Sequence, residues 1–262
     1  MGAFILMPLF VLAAQLGYAG PAAAIAIPLM MALVVGLTGV WGGILYPVMV
    51  RPLLASPRLI LLLATVAAGQ VIREVIRVVY PDGSNPQVFP KLLPEGGLDV
   101  WGLTVGYDSL IIFALTVLTI LILNNVIRHT RMGLAMRAVS QNANVSQMMG
   151  VNLGRTVITV FIIGSALAGL TGILNGAYYG ITKFSIGNNL GIKGFSAAVI
   201  GGLGDFNGAI MGGFLLGFVE VFAAAYIPEG SQYQDAFSFL AVIVFLIFRP
   251  RGILGEKTFE KV

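Results

Sequence analysis

The stretch SLIIFALTVLTILILNNVI at 109–127 carries no charged residue. It has about the length a helix needs to cross a bilayer, roughly 20 apolar residues at ~1.5 Å each. Read as a membrane span, it makes the chain an integral membrane protein. The composition agrees. Of 262 residues, 58% are hydrophobic and 10% charged, whereas a soluble domain carries about 25% charged residues. Mean hydropathy is +0.94. The 34 glycines fit this solvent, because small residues let helices approach closely in lipid.

Working outward, eight candidate spans appear, at 3–20, 22–50, 59–80, 109–127, 157–180, 190–204, 208–227 and 234–249. The second is interrupted by Pro28 and "GGILYP", which predicts a kink. The sixth has only "GFSAAVIGGLG" as its apolar part, which reads as a short or broken Gly-rich helix. The expected fold is an all-α polytopic bundle in a single 1–262 domain. Zero cysteines exclude disulfides and thiolate metal sites.

Charge sets the orientation. Arg51 and Arg58, then Arg128, Arg131, Arg137 and Arg155, then Arg249, Arg251, Lys257 and Lys261 make ten of the fifteen basic residues. Counting spans places these three segments on one side, which the positive-inside rule makes cytoplasmic. The opposite side holds Asp82, Glu95, Asp99 and Asp108 in the 81–108 loop, and Glu229 and Asp235 in the 228–235 loop. Tyr80, Trp101, Tyr107, Tyr178, Tyr179, Tyr226 and Tyr233 gather at that level as an aromatic belt. The basic pI of about 9.5 thus reports topology rather than nucleic-acid binding. One internal echo, "VGLTGVWGGILY" at 35–46 and "AGLTGILNGAYY" at 168–179, falls on spans of opposite direction, as an inverted repeat requires.

The connection at 128–155 is long, and long connections often carry function. Its middle, "MRAVSQNANVSQMMGVN" at 136–152, predicts a short polar helix with Met136, Val139, Ala143 and Gln147 on one face and Gly150 as its stop. A weakly apolar face of this kind suits a groove on another protein. A plain solvated loop helix is the simpler reading.

The segment "RHTRMGLAMRAVSQNANVSQMMGVN" resembles the corresponding segment of the permease subunits of branched-chain amino acid ABC importers, the LivH type. So do "ALAGLTGIL", "IKGFSAAVIGGLGDFNGAIMGGFLLGFVE" and "RPRGILG", in that family's order. "MGAF" and "RPLLASP" match more loosely. The resemblance implies that 128–155 is a coupling loop whose helix sits in a cleft of a cytoplasmic ATPase. Its docking candidates by position are Arg137, Ala138, Asn142, Gly150 and Asn152. Implied partners are ABC ATPase subunits, a second permease (sister heterodimer or homodimer), an external substrate-binding protein that the 81–108 loop would receive, and lipid. The implied place is the bacterial inner membrane, with coupling loop and C-terminus cytoplasmic. The resemblance also implies one further hydrophobic span ahead of Met1, so the domain is expected to lack an N-terminal span. Substrates of such permeases include branched-chain amino acids, other amino acids, urea and short amides.

Within the membrane, Glu220 is costly, at least ~2.5 kcal/mol on lenient scales, and marks a site by default. It reads as the ion-pair partner of Lys193 or Lys183, as a helix-packing carboxylic acid, or as a substrate contact. "AVIGGLGDFNGAIMGG" at 198–213 is the pathway candidate, with Phe195, Gly201, Gly202 and Gly204, because broken helices bind zwitterions through their polar ends. The competing reading is a tight, closely packed hairpin. Arg73, Glu74 and Arg77 are expected to reach the headgroups, and Lys193 to act as an interface anchor.

No catalytic, cofactor or metal residue is expected. No lysine follows a glycine, so the phosphate loop of an ATPase is missing, and His129 is the sole histidine. The alternative to an ABC permease is an ion-coupled secondary transporter, for which Glu220 would be the chief relay.

Overall fold

A computed structural model of the chain describes residues 23–54, 56–90, 92–94, 96–100, 103–230, 232–249 and 252–254. The first expected span, 3–20, lies outside them. Two compact units emerge, residues 1–187 and 188–262. Among the described residues five helices are long and apolar enough to cross a membrane: Ile27–Leu53, Leu59–Val79, Tyr107–His129, Leu153–Tyr179 and Phe206–Tyr226.

The first unit opens with α1, Ala23–Leu45, which contains Pro28. The expected interruption lies at its end, as a π-helical turn over Tyr46–Val50 followed by a 3₁₀ turn over Arg51–Leu53. Pro47 lacks the N–H that would continue the α-helical ladder, and the ladder shifts register there. Helix α2 spans Arg58–Val79, α3 spans Tyr107–His129 and α6 spans Leu153–Tyr179.

The main packing in this unit is α1 against α6. Val34 clusters with Ile173, Thr38 seats against Gly169, and Gly42 lies against Ser165. One number rises as the other falls, so the two helices run antiparallel. A Cβ on Gly42 or Gly169 would overlap the facing side chain. The helices that carry the two copies of the sequence echo therefore pack on each other in opposite directions, and the Thr38–Gly169 contact joins the copies themselves.

The 81–108 loop holds more structure than a loop. Strand β1, Gln87–Val88, pairs antiparallel with β4, Ile181–Thr182. Strands β2, Gly97–Val100, and β3, Leu103–Gly106, form a hairpin. Phe89 is buried with Leu92, Val34 and Ile173, and its N–H donates to the Gly180 carbonyl at 2.9 Å. Its ring fills the space that a side chain at Gly176 would take.

The second unit contains α7, Ile186–Gly201, α8, Phe206–Tyr226, and α9, Gln234–Phe248. Helix α7 has only 16 residues, the short helix expected at 190–204, starting earlier and ending at Gly201. Its core is Ala197, Ile200 and Leu216, with Val242, Phe245 and Ile253 packed against them.

Candidate functional site

The polar segment is shaped by its own side chains. Thr130 caps α4, Arg131–Gln141, by accepting from the Gly133 N–H at 3.1 Å. A Cβ on Gly133 would overlap the Ile127 carbonyl, so the corner between α3 and α4 requires glycine. The single helix expected within 136–152, with its stop at Gly150, is instead two helices that part at Asn142. That side chain accepts from the Asn144 and Val145 N–H groups at 3.1 Å each and starts a second helix, α5, Ala143–Met148. Asparagine competes with the helical backbone in this way and favours caps over interiors. The face expected to join Met136 and Val139 to Ala143 and Gln147 is therefore split between two helices.

Each docking candidate has a local task. The carbonyl of Ala138 accepts from the Asn142 N–H at 3.1 Å. Gly150 adopts φ +86°, the left-handed stop that only glycine takes without strain. Asn152 caps α6 by accepting from the Arg155 N–H at 3.0 Å. Arg137 is exposed and its guanidinium donates toward the Arg128 carbonyl at 3.4 Å, a cation at the end of α3. The most exposed apolar side chains of the segment are ones the sequence reading passed over. Met148 is 87% and Met149 81% exposed, with Leu134 and Val145 also exposed. The signal was present as "QMMG", two flexible apolar side chains directly before a helix stop.

In the second unit the glycines form a close hairpin. Gly202 and Gly204 have φ of +106° and +103°, and Asp205 caps α8 by accepting from the Gly208 N–H at 2.6 Å. Gly201 lies against Gly208, and Gly212 against the Ala197 carbonyl, with no room for a Cβ. The carbonyls of Ile200 and Gly201, which a broken helix would offer to a ligand, are taken. Ile253 and Leu254 N–H groups donate to them at 2.8 and 2.9 Å. The geometry thus favours the hairpin reading of these glycines. Phe195 is 55% exposed on α7.

Glu220 is paired. Its Oε1 lies 2.9 Å from Lys193 Nζ, and the Ser238 hydroxyl donates to it at 2.6 Å. Lys193 also meets Asp235 Oδ1 at 2.8 Å, a partner the sequence reading had placed only in an outer loop. The ion-pair reading of Glu220 with Lys193 matches this geometry. Elsewhere, in the first unit, Glu74 bridges Arg73 and Arg77 at 2.8 and 2.9 Å, and Arg73 lies over the Phe184 ring, 5.8 Å from its centroid.

The chain is similar to known transport proteins over most of its length. The family described as "branched-chain amino acid transport system / permease component" matches residues 1–248. The high-affinity branched-chain amino acid transport system permease protein BraD of Pseudomonas aeruginosa is 34% identical over 244 residues, 90% of this chain and 78% of BraD. The permease protein LivH of Escherichia coli K12 is 30% identical over 216 residues, 81% of this chain and 69% of LivH. LivH of Salmonella typhimurium is 29% identical over the same length. No solved structure matches the chain.

Proposed function

The chain belongs to the branched-chain amino acid transport permease family, and from that premise we propose that it is the membrane-spanning subunit of an ATP-driven importer of leucine, isoleucine and valine. The observation that carries the mechanism is the form of the 128–155 segment. Three side-chain caps, Thr130, Asn142 and Asn152, fix two short helices between membrane-length α3 and α6. They leave Met148 and Met149 standing out. Helices of this size cannot fill a membrane role, but they can transmit a push, because capped ends resist unwinding. A separate ATPase closing on nucleotide would bias a two-state arrangement of the spans through this segment. Arg137, Ala138, Asn142, Gly150 and Asn152 are assigned to the docking segment, with Met148 and Met149 as its apolar knobs.

The remaining assembly follows from the same reading. Two permease subunits, two ATPase subunits and an external binding protein complete it, in the bacterial inner membrane with 128–155 and the C-terminus cytoplasmic. The exposed Asp82 and Asp99 of the 81–108 region are its candidate receptor surface. Reconstitution in vesicles with the cognate ATPase and binding protein tests the proposal. Uptake of labelled leucine should require ATP. Uptake by the permease alone on a sodium or proton gradient would overturn it, and urea uptake without leucine uptake would overturn the substrate.

A further inference from the structure

A 16-residue helix such as α7 is about 24 Å long at ~1.5 Å per residue, short of the ~30 Å hydrocarbon core. Such a helix either slides as a gate or is fixed by its neighbours. We propose that Lys193 is a positioning residue that, together with the tail segment Gly252–Leu254, fastens α7 to α8 and α9 so that the three move as one body during transport. The inference deepens the transport reading above and rests on it.

Three kinds of contact hold α7 from its midpoint to its end. At the midpoint, Lys193 Nζ bridges Glu220 of α8 at 2.9 Å and Asp235 of α9 at 2.8 Å, while Ser238 of α9 donates to the same Glu220 oxygen. One ammonium therefore joins three helices. The Lys193 and Glu220 side chains are only 25% and 20% exposed, so parting them leaves poorly solvated charges. One turn further on, Gly212 meets the Ala197 carbonyl, and at the last residue Gly201 meets Gly208, backbone against backbone. At the end, the tail closes the helix. Ile253 and Leu254 donate to its last carbonyls, which otherwise lack helical partners. Gly252, at φ +80°, fits against Gly202, and Ile253 packs on the core of the unit. Sliding α7 past α8 and α9 would part the ion pairs and the glycine contacts together.

The absence of cysteine gives a direct test. Ala197 Cβ lies 4.0 Å from where a Cβ at Gly213 would sit, within the ~3.5–4.5 Å that a disulfide spans. The double variant Ala197→Cys, Gly213→Cys is assembled with its ATPase and binding protein in vesicles, and leucine uptake is measured oxidised and then reduced. The expected result is a complete cross-link, with uptake by the oxidised double variant within about twofold of the same variant reduced. Uptake that stops on oxidation and returns on reduction overturns the proposal, as does failure of the thiols to couple. Lys193→Met is then added. Alone it should lower uptake by about tenfold or more, and the oxidised cross-link should restore most of it, because the bond replaces the pin. A loss that the cross-link leaves unrepaired, or no loss, overturns the role of Lys193. Failure of the parent reading is distinct, since the wild-type assembly would then take up no leucine at all.

Discussion

Asn142 shows how a single side chain decides the form of the coupling segment. Its Oδ1 serves two N–H groups of α5, so its first task is local, and its effect on a partner runs through helix shape. Asn142→Ala should destabilise that turn by about 1 kcal/mol and weaken ATPase binding, whereas Asn142→Asp should keep both, since aspartate caps equally well. Hydrogen exchange of residues 143–148 alongside a pull-down with the ATPase checks this. Equal loss in both variants would mean that Asn142 touches the partner directly. Met148 and Met149 make the opposite case, with 87% and 81% exposure. Replacing both by glutamate should leave the fold intact and weaken the ATPase complex at least about tenfold, as loss of an apolar hot spot does. Arg137→Glu should likewise abolish co-purification with the ATPase, and normal co-purification and transport would remove Arg137 from the docking surface.

At the scale of elements, the helices were legible because long apolar runs have few alternatives in a membrane protein. The pairing of α1 with α6 was legible only in part. The echoed "GLTG" segments marked both helices, but the contact of Gly42 with Ser165 and of Thr38 with Gly169 depends on rotation about each axis, which the echo does not encode. The 81–108 region was least legible. Its prolines and acids read as a loop, yet Phe89 is 2% exposed because a gap over Gly176 receives it. Phe89→Ala should therefore cost about 3–5 kcal/mol, the usual range for a buried aromatic, and should lower the thermal midpoint of the purified protein in detergent. An unchanged midpoint would mean that this region does not hold the α1–α6 pair. Lys193 teaches the same lesson. Spacing left Lys183 and Lys193 as equal partners for Glu220, and only the fold selects Lys193 and adds Asp235.

For the whole molecule, the decisive quantity is the side on which each connection lies. The basic residues of 128–155 and the acids of 81–108 predict opposite faces, since lysine and arginine near span ends are retained in the cytoplasm. The two regions are separated by α3, which has 23 residues and is long and apolar enough to cross a membrane. About 34 Å of helix at ~1.5 Å per residue exceeds the ~30 Å core and is long enough to carry its two ends to opposite faces. A chain without cysteine allows this to be read residue by residue. Ser140→Cys and Asp99→Cys both place a thiol at an exposed position. In intact cells a membrane-impermeant maleimide should label Asp99→Cys and spare Ser140→Cys, and inside-out vesicles should reverse the pattern. Labelling of Ser140→Cys from outside would put the capped helices α4 and α5 beyond reach of any cytoplasmic ATPase, and with them the proposed route by which nucleotide closure drives the spans.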